Sequence, residues 1–179
     1  DAGQANYLGN VMRLGVEGAV LLFDGQSGEW LARVARAGKK RMTLCVAQHT
    51  REAEAVPDVW LAFAPVKRAQ TDWLVEKATE LGAARLLPII TQRTIAERVK
   101  LERLETIAIE AAEQCGRTRL PEIIEPLSLK QLLAGRDHER RLYFADEGGG
   151  EAAANAFAPG AALILTGPEG GFTDEERSL

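Results

Sequence analysis

The amino-acid sequence predicts two architectures in one chain: a small antiparallel β domain over residues 1–56 and an α/β domain with a mostly parallel sheet over residues 57–179. Three observations predict it. Along the first fifty residues hydrophobicity alternates with period two, as in a sheet with one face buried. Further on, continuous apolar runs of strand length alternate with amphipathic stretches of helix length, the pattern of a sheet covered on both faces. Between the two, residues 51–58 are polar and contain Pro57-Asp58, which reads as a linker.

The elements follow in order. Tyr7, Leu8, Val11, Met12 and Leu14 form a short helix-like stripe closed by Gly15. Residues 19–23 are an apolar strand, followed by the turn-rich Asp24-Gly25-Gln26-Ser27-Gly28. Trp30, Ala32 and Val34 then alternate with Leu31, Arg33 and Ala35, and Met42, Leu44 and Val46 with Arg41, Thr43 and Cys45, giving a small antiparallel sheet or barrel. Residues 59–64 make a continuous apolar strand. A helix over 68–81 sets Leu74, Ala78 and Leu81 on one face and stops at Gly82. Residues 86–90 are the next strand. The following helix carries Leu101, Leu104, Ile107, Ala108, Ala111, Ala112 and Cys115 on its buried stripe and ends at Gly116. Ser128 and Gln131 have capping-box spacing, so a short helix opens there. Residues 142–145 and 161–166 supply two more strands; the glycine- and alanine-rich 148–154 reads as a mobile loop.

Charge and composition narrow the function classes. The net charge is −4, so the chain is not a generally basic nucleic-acid coat. Residues 1–57 hold 7 Lys+Arg against 6 Asp+Glu, and residues 58–179 hold 15 against 20. Any RNA contact must come from local clusters. Arg33, Arg36, Lys39, Lys40 and Arg41 form one around a predicted hairpin; a solvated sheet edge is the plainer reading, an RNA-backbone patch the functional one. Cys45 and Cys115 lie far apart in apolar patterns with only His49 and His138 as further soft ligands, so no metal site is expected, and two buried thiols in a reducing cytoplasm are. No apolar run approaches the roughly 20 residues of a membrane helix, and no signal peptide is visible, although the chain begins at Asp1.

The chemistry concentrates after the last strand. An uncharged run into Thr166 leads straight to Gly167-Pro168-Glu169-Gly170-Gly171-Phe172, and Thr173 with Glu176 then reads as an N-cap and its capping-box partner. In open α/β sheets ligands lie beyond the carboxyl ends of strands, and glycines there allow close backbone approach. A tight strand-to-helix turn would give the same composition. The Gly-x-x-x-x-Gly-Lys and Gly-x-Gly-x-x-Gly phosphate signatures are absent. The acidic turn after Phe172 disfavours phosphate and suits a neutral or cationic ligand such as a sulfonium.

Four segments carry a specific resemblance: Tyr7-Leu8-Gly-Asn-Val11-Met-Arg13-Leu14, Lys77-Ala-Thr-Glu80-Leu81-Gly82, Glu110-Ala-Ala-Glu113-Gln114-Cys-Gly-Arg117, and Leu165-Thr-Gly167-Pro168-Glu169-Gly170-Gly171-Phe172-Thr-Asp-Glu175-Glu. In this order the chain resembles, over nearly its whole length, the RsmE family of small-subunit rRNA uridine-N3 methyltransferases in the SPOUT superfamily. The resemblance implies a PUA-like β-barrel followed by a SPOUT-type α/β trefoil-knot domain that dimerises. It implies S-adenosylmethionine held in the knot, and methylation of uridine N3 in 16S rRNA. The loop Gly167–Phe172, with Thr166 before it, would be one wall of the cofactor pocket, and the strand end at Phe144 and Glu147 another. The family continues into a second motif that completes the knot, whereas this sequence stops at Leu179, so the knot's C-terminal segment is expected to be missing from it.

For the reaction, arginines suit stabilisation of negative charge developing on the base carbonyls. Arg117 is the candidate, with Gln114 orienting a loop or base and Glu169 binding cofactor or holding its own loop. Arg13, Arg93 and Arg117 join the hairpin cluster as candidate RNA contacts. Surface ion pairs and helix surface are the plain alternatives for these residues, as a solvated face is for Lys77 and Glu80. A non-catalytic RNA-binding protein with an incomplete cofactor site is the competing function. An α/β enzyme for a nucleotide cofactor is a third, disfavoured by the missing fingerprints.

Overall fold

A computed structural model describes residues 2–38, 40–95 and 98–179. The chain divides into two compact units, Asp1–Glu54 and Ala55–Leu179.

In the first unit, helix α1 (Ala2–Asn6) runs into a π-helical turn, Tyr7–Val11. Three antiparallel strands follow: β1 (Ala19–Phe23), β2 (Glu29–Ala37) and β3 (Met42–Arg51). They pair in the order β1-β2-β3, a small antiparallel sheet as the alternation predicts. Ala32 and Val34 at its centre are fully buried. Register shifts along β2, including one between Leu31 and Ala32, break the strict alternation and leave Val46 exposed. Strand β3 also runs further than predicted, because Thr50 and Arg51 both bond to the Glu29 side chain across the ladder. In the β1–β2 turn, Asp24 accepts from Gln26 N, Ser27 N and Ser27 Oγ, which lowers its pKa to about 2. Gly28 has φ +91°, and a Cβ there would stand 2.2 Å from the Arg51 carbonyl.

The second unit is a parallel sheet of β4 (Val59–Phe63), β5 (Arg85–Ile90), β6 (Glu122–Ile123), β8 (Arg141–Ala145) and β9 (Ala162–Thr166), in the order β6-β5-β4-β9-β8, with β7 (Leu127–Ser128) pairing to β5. Its helices are α2 (Arg68–Glu80), α3 (Leu101–Cys115), α4 (Leu129–Gly135), α5 (Ala153–Ala156) and α6 (Asp174–Arg177). Side-chain alternation splits the core. Phe63 and Leu86 pack with Val75 and Ala78 of α2 and Leu104 and Ala108 of α3. Ala62, Leu87, Ile89, Leu163 and Leu165 pack with Leu129 and Leu132 of α4 and with Phe172.

Three expectations are corrected. The buried face of α2 is Thr71, Val75, Ala78 and Thr79, while Leu81 is 81% exposed because the helix ends before it and Gly82, at φ +82°, turns the chain away. Cys115 is exposed, since the buried stripe of α3 is Leu104, Ala108, Ala111 and Ala112 and ends before it. Cys45 is exposed too, on the open face of the three-stranded sheet. The two short strands β6 and β7 were not visible as hydrophobic runs.

Topology sets the functional edge. The chain winds outward from β4 through β5 to β6, then returns by β8 to place β9 against the other side of β4. The segments leaving β4 and β9 at their carboxyl ends therefore diverge, and this switch point is where such sheets open a crevice.

Candidate functional site

Strand β9 delivers the chain at Thr166 to the glycine loop, and two of its glycines, Gly167 and Gly171, have distinct geometric reasons. At Gly167 a Cβ would lie 2.5 Å from the Phe172 ring, which folds back over it. Phe172 is buried and stacks edge-on against Phe144, centroids 4.9 Å apart, while Phe144 keeps 40% exposure. Gly171 N donates to the Pro168 carbonyl at 2.9 Å, closing the turn, with Gly171 at φ +67°. A Cβ at Gly171 would come within 2.2 Å of Glu147 Oε1.

The loop is clamped from the end of β5. Arg93 Nη1 donates to the Gly170 carbonyl at 2.7 Å and, more loosely, to the Phe172 carbonyl at 3.4 Å. Thr173 caps α6 as predicted: its hydroxyl accepts from Glu176 N, and Glu176 Oε2 accepts from Thr173 N. The other oxygen of this buried carboxylate accepts from Gln92 N at 2.8 Å. One carboxylate thus ties the loop after β5 to the loop after β9.

At the end of β8, Arg177 pairs with Asp146 and, at 2.8 Å, with Glu147. The Gly148 N–H and the Arg177 guanidinium hold the Asp146 carboxyl below its ordinary range. Glu175 is likewise lowered, by its own backbone N–H and the Thr173 hydroxyl. Glu169 is exposed and faces Lys67 at 3.6 Å.

These groups fit a sulfonium-bearing amino-acid nucleoside. Phe144 offers an exposed aromatic surface beside carboxylates that suit positive charge. Glu169 and Gly170 are exposed on the loop, and their backbone N–H groups make no hydrogen bond to another described residue. Phe144, Glu147 and Thr166–Phe172 are thereby brought together. Among the described residues no cluster of His, Cys, Asp and Glu could hold a metal ion.

Arg117 and Gln114 are not brought to this loop. Arg117 Nη1 donates to the Glu80 carbonyl at 3.1 Å, and its guanidinium covers Gly82, where a Cβ would meet it at 2.3 Å. Ala84 N bonds the Val59 carbonyl, so this neighbourhood lies at the amino edge of the sheet. The length of β4, about 13 Å at the usual strand rise, separates it from the loop. Gln114 is exposed on the last turn of α3, at the same edge.

In the first unit, Arg36, Lys40 and Arg41 are exposed around the β2–β3 hairpin; Lys39 lies outside the described residues. Arg33 donates to the Glu17 carbonyl at 3.2 Å. Arg13 is exposed with φ 55°.

Asp146 and Arg177 escaped sequence reasoning, as no spacing links residues 31 apart. Lys67, Arg68, Arg98, Lys100 and Arg103, which gather near the loop, were also missed. Their signal was present: two basic pairs, Lys67-Arg68 and Arg98-Val-Lys100, each at the start of a helix.

The profile of the family described as RNA methyltransferase domain matches residues 52–179, and that described as RNA methyltransferase PUA domain matches residues 1–44. A ribosomal RNA small subunit methyltransferase E from Rickettsia conorii is 28% identical, aligned over 97% of this chain and 72% of its own length. Its counterpart from Synechocystis is 32% identical over 98% of this chain and 60% of its own length. Among solved structures, a protein from Legionella pneumophila described as a methyltransferase in complex with the bound cofactor SAM superposes with a TM-score of 0.87 at 27% identity, covering 99% of this chain and 76% of that one.

Proposed function

Given that the chain belongs to the RNA methyltransferase family, within its RsmE branch, we propose that it methylates small-subunit rRNA with S-adenosylmethionine as donor, at N3 of a uridine in 16S rRNA. The observation that carries this reading is the clamped glycine loop. Its backbone is open at Glu169 and Gly170, and Phe144 and Glu147 stand beside it. The relatives' names and the SAM-bound neighbour support the same assignment. The resemblance also supports a trefoil knot in the second unit, a PUA-like RNA-binding role for the first, a cytoplasmic place of action and a homodimer.

Bound S-adenosylmethionine would supply the methyl group on a sulfonium, so direct transfer needs no covalent enzyme intermediate. The protein's work is binding and orientation. Phe144 and the loop from Thr166 to Phe172 form the walls; Glu147 contributes negative charge beside them. Arg117 would stabilise the charge developing on the uracil carbonyls, and Gln114 would orient the base. Both stand at the far edge of the same sheet, so they reach the reacting base only from a second subunit, which ties their roles to the homodimer. Glu169 would contact the cofactor from the loop. Arg13, Arg33, Arg36, Lys40 and Arg41 would meet RNA phosphates in the first unit, and Arg93 near the loop.

Calorimetric titration with S-adenosylmethionine, followed by methyl transfer to purified small ribosomal subunits and to free rRNA, tests the reading. The expected result is saturable one-site binding and a new methyl at uridine N3. Absence of methyl at N3 in either substrate, with the cofactor bound, overturns the substrate. Absence of cofactor binding combined with RNA binding returns the chain to a non-catalytic RNA-binding protein.

A further inference from the structure

Beside the glycine loop, at the β4–β9 switch point, lies a cavity of about 410 Å³. Its walls are the segment leaving β4, Arg93 and Ile95 after β5, Arg98 and Val99, the first turns of α2 and α3, and Pro168-Glu169. By the general rule for open α/β sheets, this crevice is the default place for a small-molecule ligand. Its charge argues otherwise. Six cationic side chains line it, Lys67, Arg68, Arg93, Arg98, Lys100 and Arg103, against the carboxylates of Asp72 and Glu169.

Part of that positive charge is already engaged. Arg103 pairs with Asp72, holding the carboxyl below its ordinary range by hydrogen bonding, and Arg93 is bound to the glycine loop. Lys67 and Glu169 make a looser ion pair at 3.6 Å, with both side chains exposed. Among the described residues no ion pair engages Arg68, Arg98 or Lys100, and all three are exposed. Both flanking helices, of 13 and 15 residues, also turn their positive ends toward the space. A cofactor with net positive charge would be repelled here; a chain of phosphates would be held. The floor is apolar, with Val66, Val99 and Leu104, which suits the face of an unstacked base below a phosphate-binding rim.

We propose that this crevice binds single-stranded substrate RNA, its phosphates on the rim from Lys67 to Lys100 and a base on the apolar floor. The proposal rests on the rRNA methyltransferase reading and deepens it. The strand feeding the reaction enters on the β4–β5 side of the glycine loop, and the cofactor walls lie on the β8 side.

The test is the double variant Arg98→Ser, Lys100→Ser in the full chain. Both side chains are exposed and outside any ion pair among the described residues, so thermal unfolding should match wild type. With deproteinised small-subunit rRNA as probe, affinity at about 0.1 M salt should fall on the order of tenfold. The slope of log K against log salt should shrink by about 1.4, at roughly 0.7 per lost single-strand phosphate contact. S-adenosylmethionine binding should not move. Unchanged RNA affinity and slope overturn the proposal while leaving the methyltransferase reading intact. Loss of S-adenosylmethionine binding with RNA binding unchanged makes the crevice the cofactor's and overturns it as well. Equal competition by duplex RNA refutes the single-strand assignment. A wild-type chain that binds no rRNA sinks both readings together.

Discussion

Arg93, leaving the end of β5, donates to the carbonyl of Gly170 at 2.7 Å, so the conformation of the glycine loop is held by a side chain 77 residues earlier in the sequence. Together with the Glu176–Gln92 bond, this makes the ends of β5 and β9 one mechanical unit.

Arg93→Met should therefore loosen the loop. A hydrogen bond from a charged donor is worth about 1.5–3 kcal/mol, so S-adenosylmethionine affinity should fall about tenfold or more, with Arg93→Lys recovering only part of it. Calorimetry on both variants checks this; an unchanged affinity in Arg93→Met would mean the loop holds itself.

Gly167→Ala drives a methyl into the buried Phe172 ring. Overpacking of this kind costs about 1–3 kcal/mol. Adding Phe172→Leu should recover stability by making room. Gly171→Ala differs: its clash is with the movable Glu147 carboxylate, and its cost is the left-handed backbone, about 1–2 kcal/mol. Adding Glu147→Ala should leave most of that cost. Denaturant midpoints of the two double variants separate the mechanisms.

Thr173→Ala removes the cap of α6 and should cost about 1 kcal/mol. Glu176→Ala should cost more, because it strips the partner from the N–H groups of Gln92 and Thr173 at once. If Glu176→Ala unfolds no more easily than Thr173→Ala, the bridge between the β5 and β9 loops contributes nothing.

Asp58, Asp72 and Asp146 are all held below the ordinary 3.8, the first two mainly by hydrogen bonds from Arg140 and Arg103, the third by Gly148 N–H and Arg177. A carboxyl with a folded pKa below its unfolded one stabilises the fold fully above the unfolded value. That stability disappears as pH falls through the folded value. Stability should therefore be level with respect to these groups above about pH 4.5 and drop below pH 4. Asp72→Asn should flatten the drop. An equal slope in wild type and Asp72→Asn between pH 4 and 2.5 would remove Asp72 from the account.

Arg117 and Gln114 give the last prediction. If they serve the loop of a second subunit, an Arg117→Ala chain and a Gly167→Ala chain, each impaired alone, should recover activity when mixed and allowed to exchange subunits. Mixed chains no more active than either alone would take Arg117 out of the reaction and leave it a structural role, to which its bond to the Glu80 carbonyl and its cover over Gly82 contribute.

The sequence by itself determined the strands other than β6 and β7, the two βα-type helices, the caps at Ser128 and Thr173 and the glycine loop. All of these are written in local terms, as hydrophobic period, glycine placement or side chains three residues from the backbone they cap. Reading four motifs together also settled the family. Tertiary structure alone decided which side chains meet across the sheet edge. No local pattern records that Arg177 reaches Asp146, that Glu176 reaches Gln92, or that basic pairs at the starts of two different helices line one crevice. It also decided that Arg117 stands a strand's length from the glycine loop. A parallel sheet sends successive helices back to its amino edge, and sequence motifs carry no record of which edge they occupy.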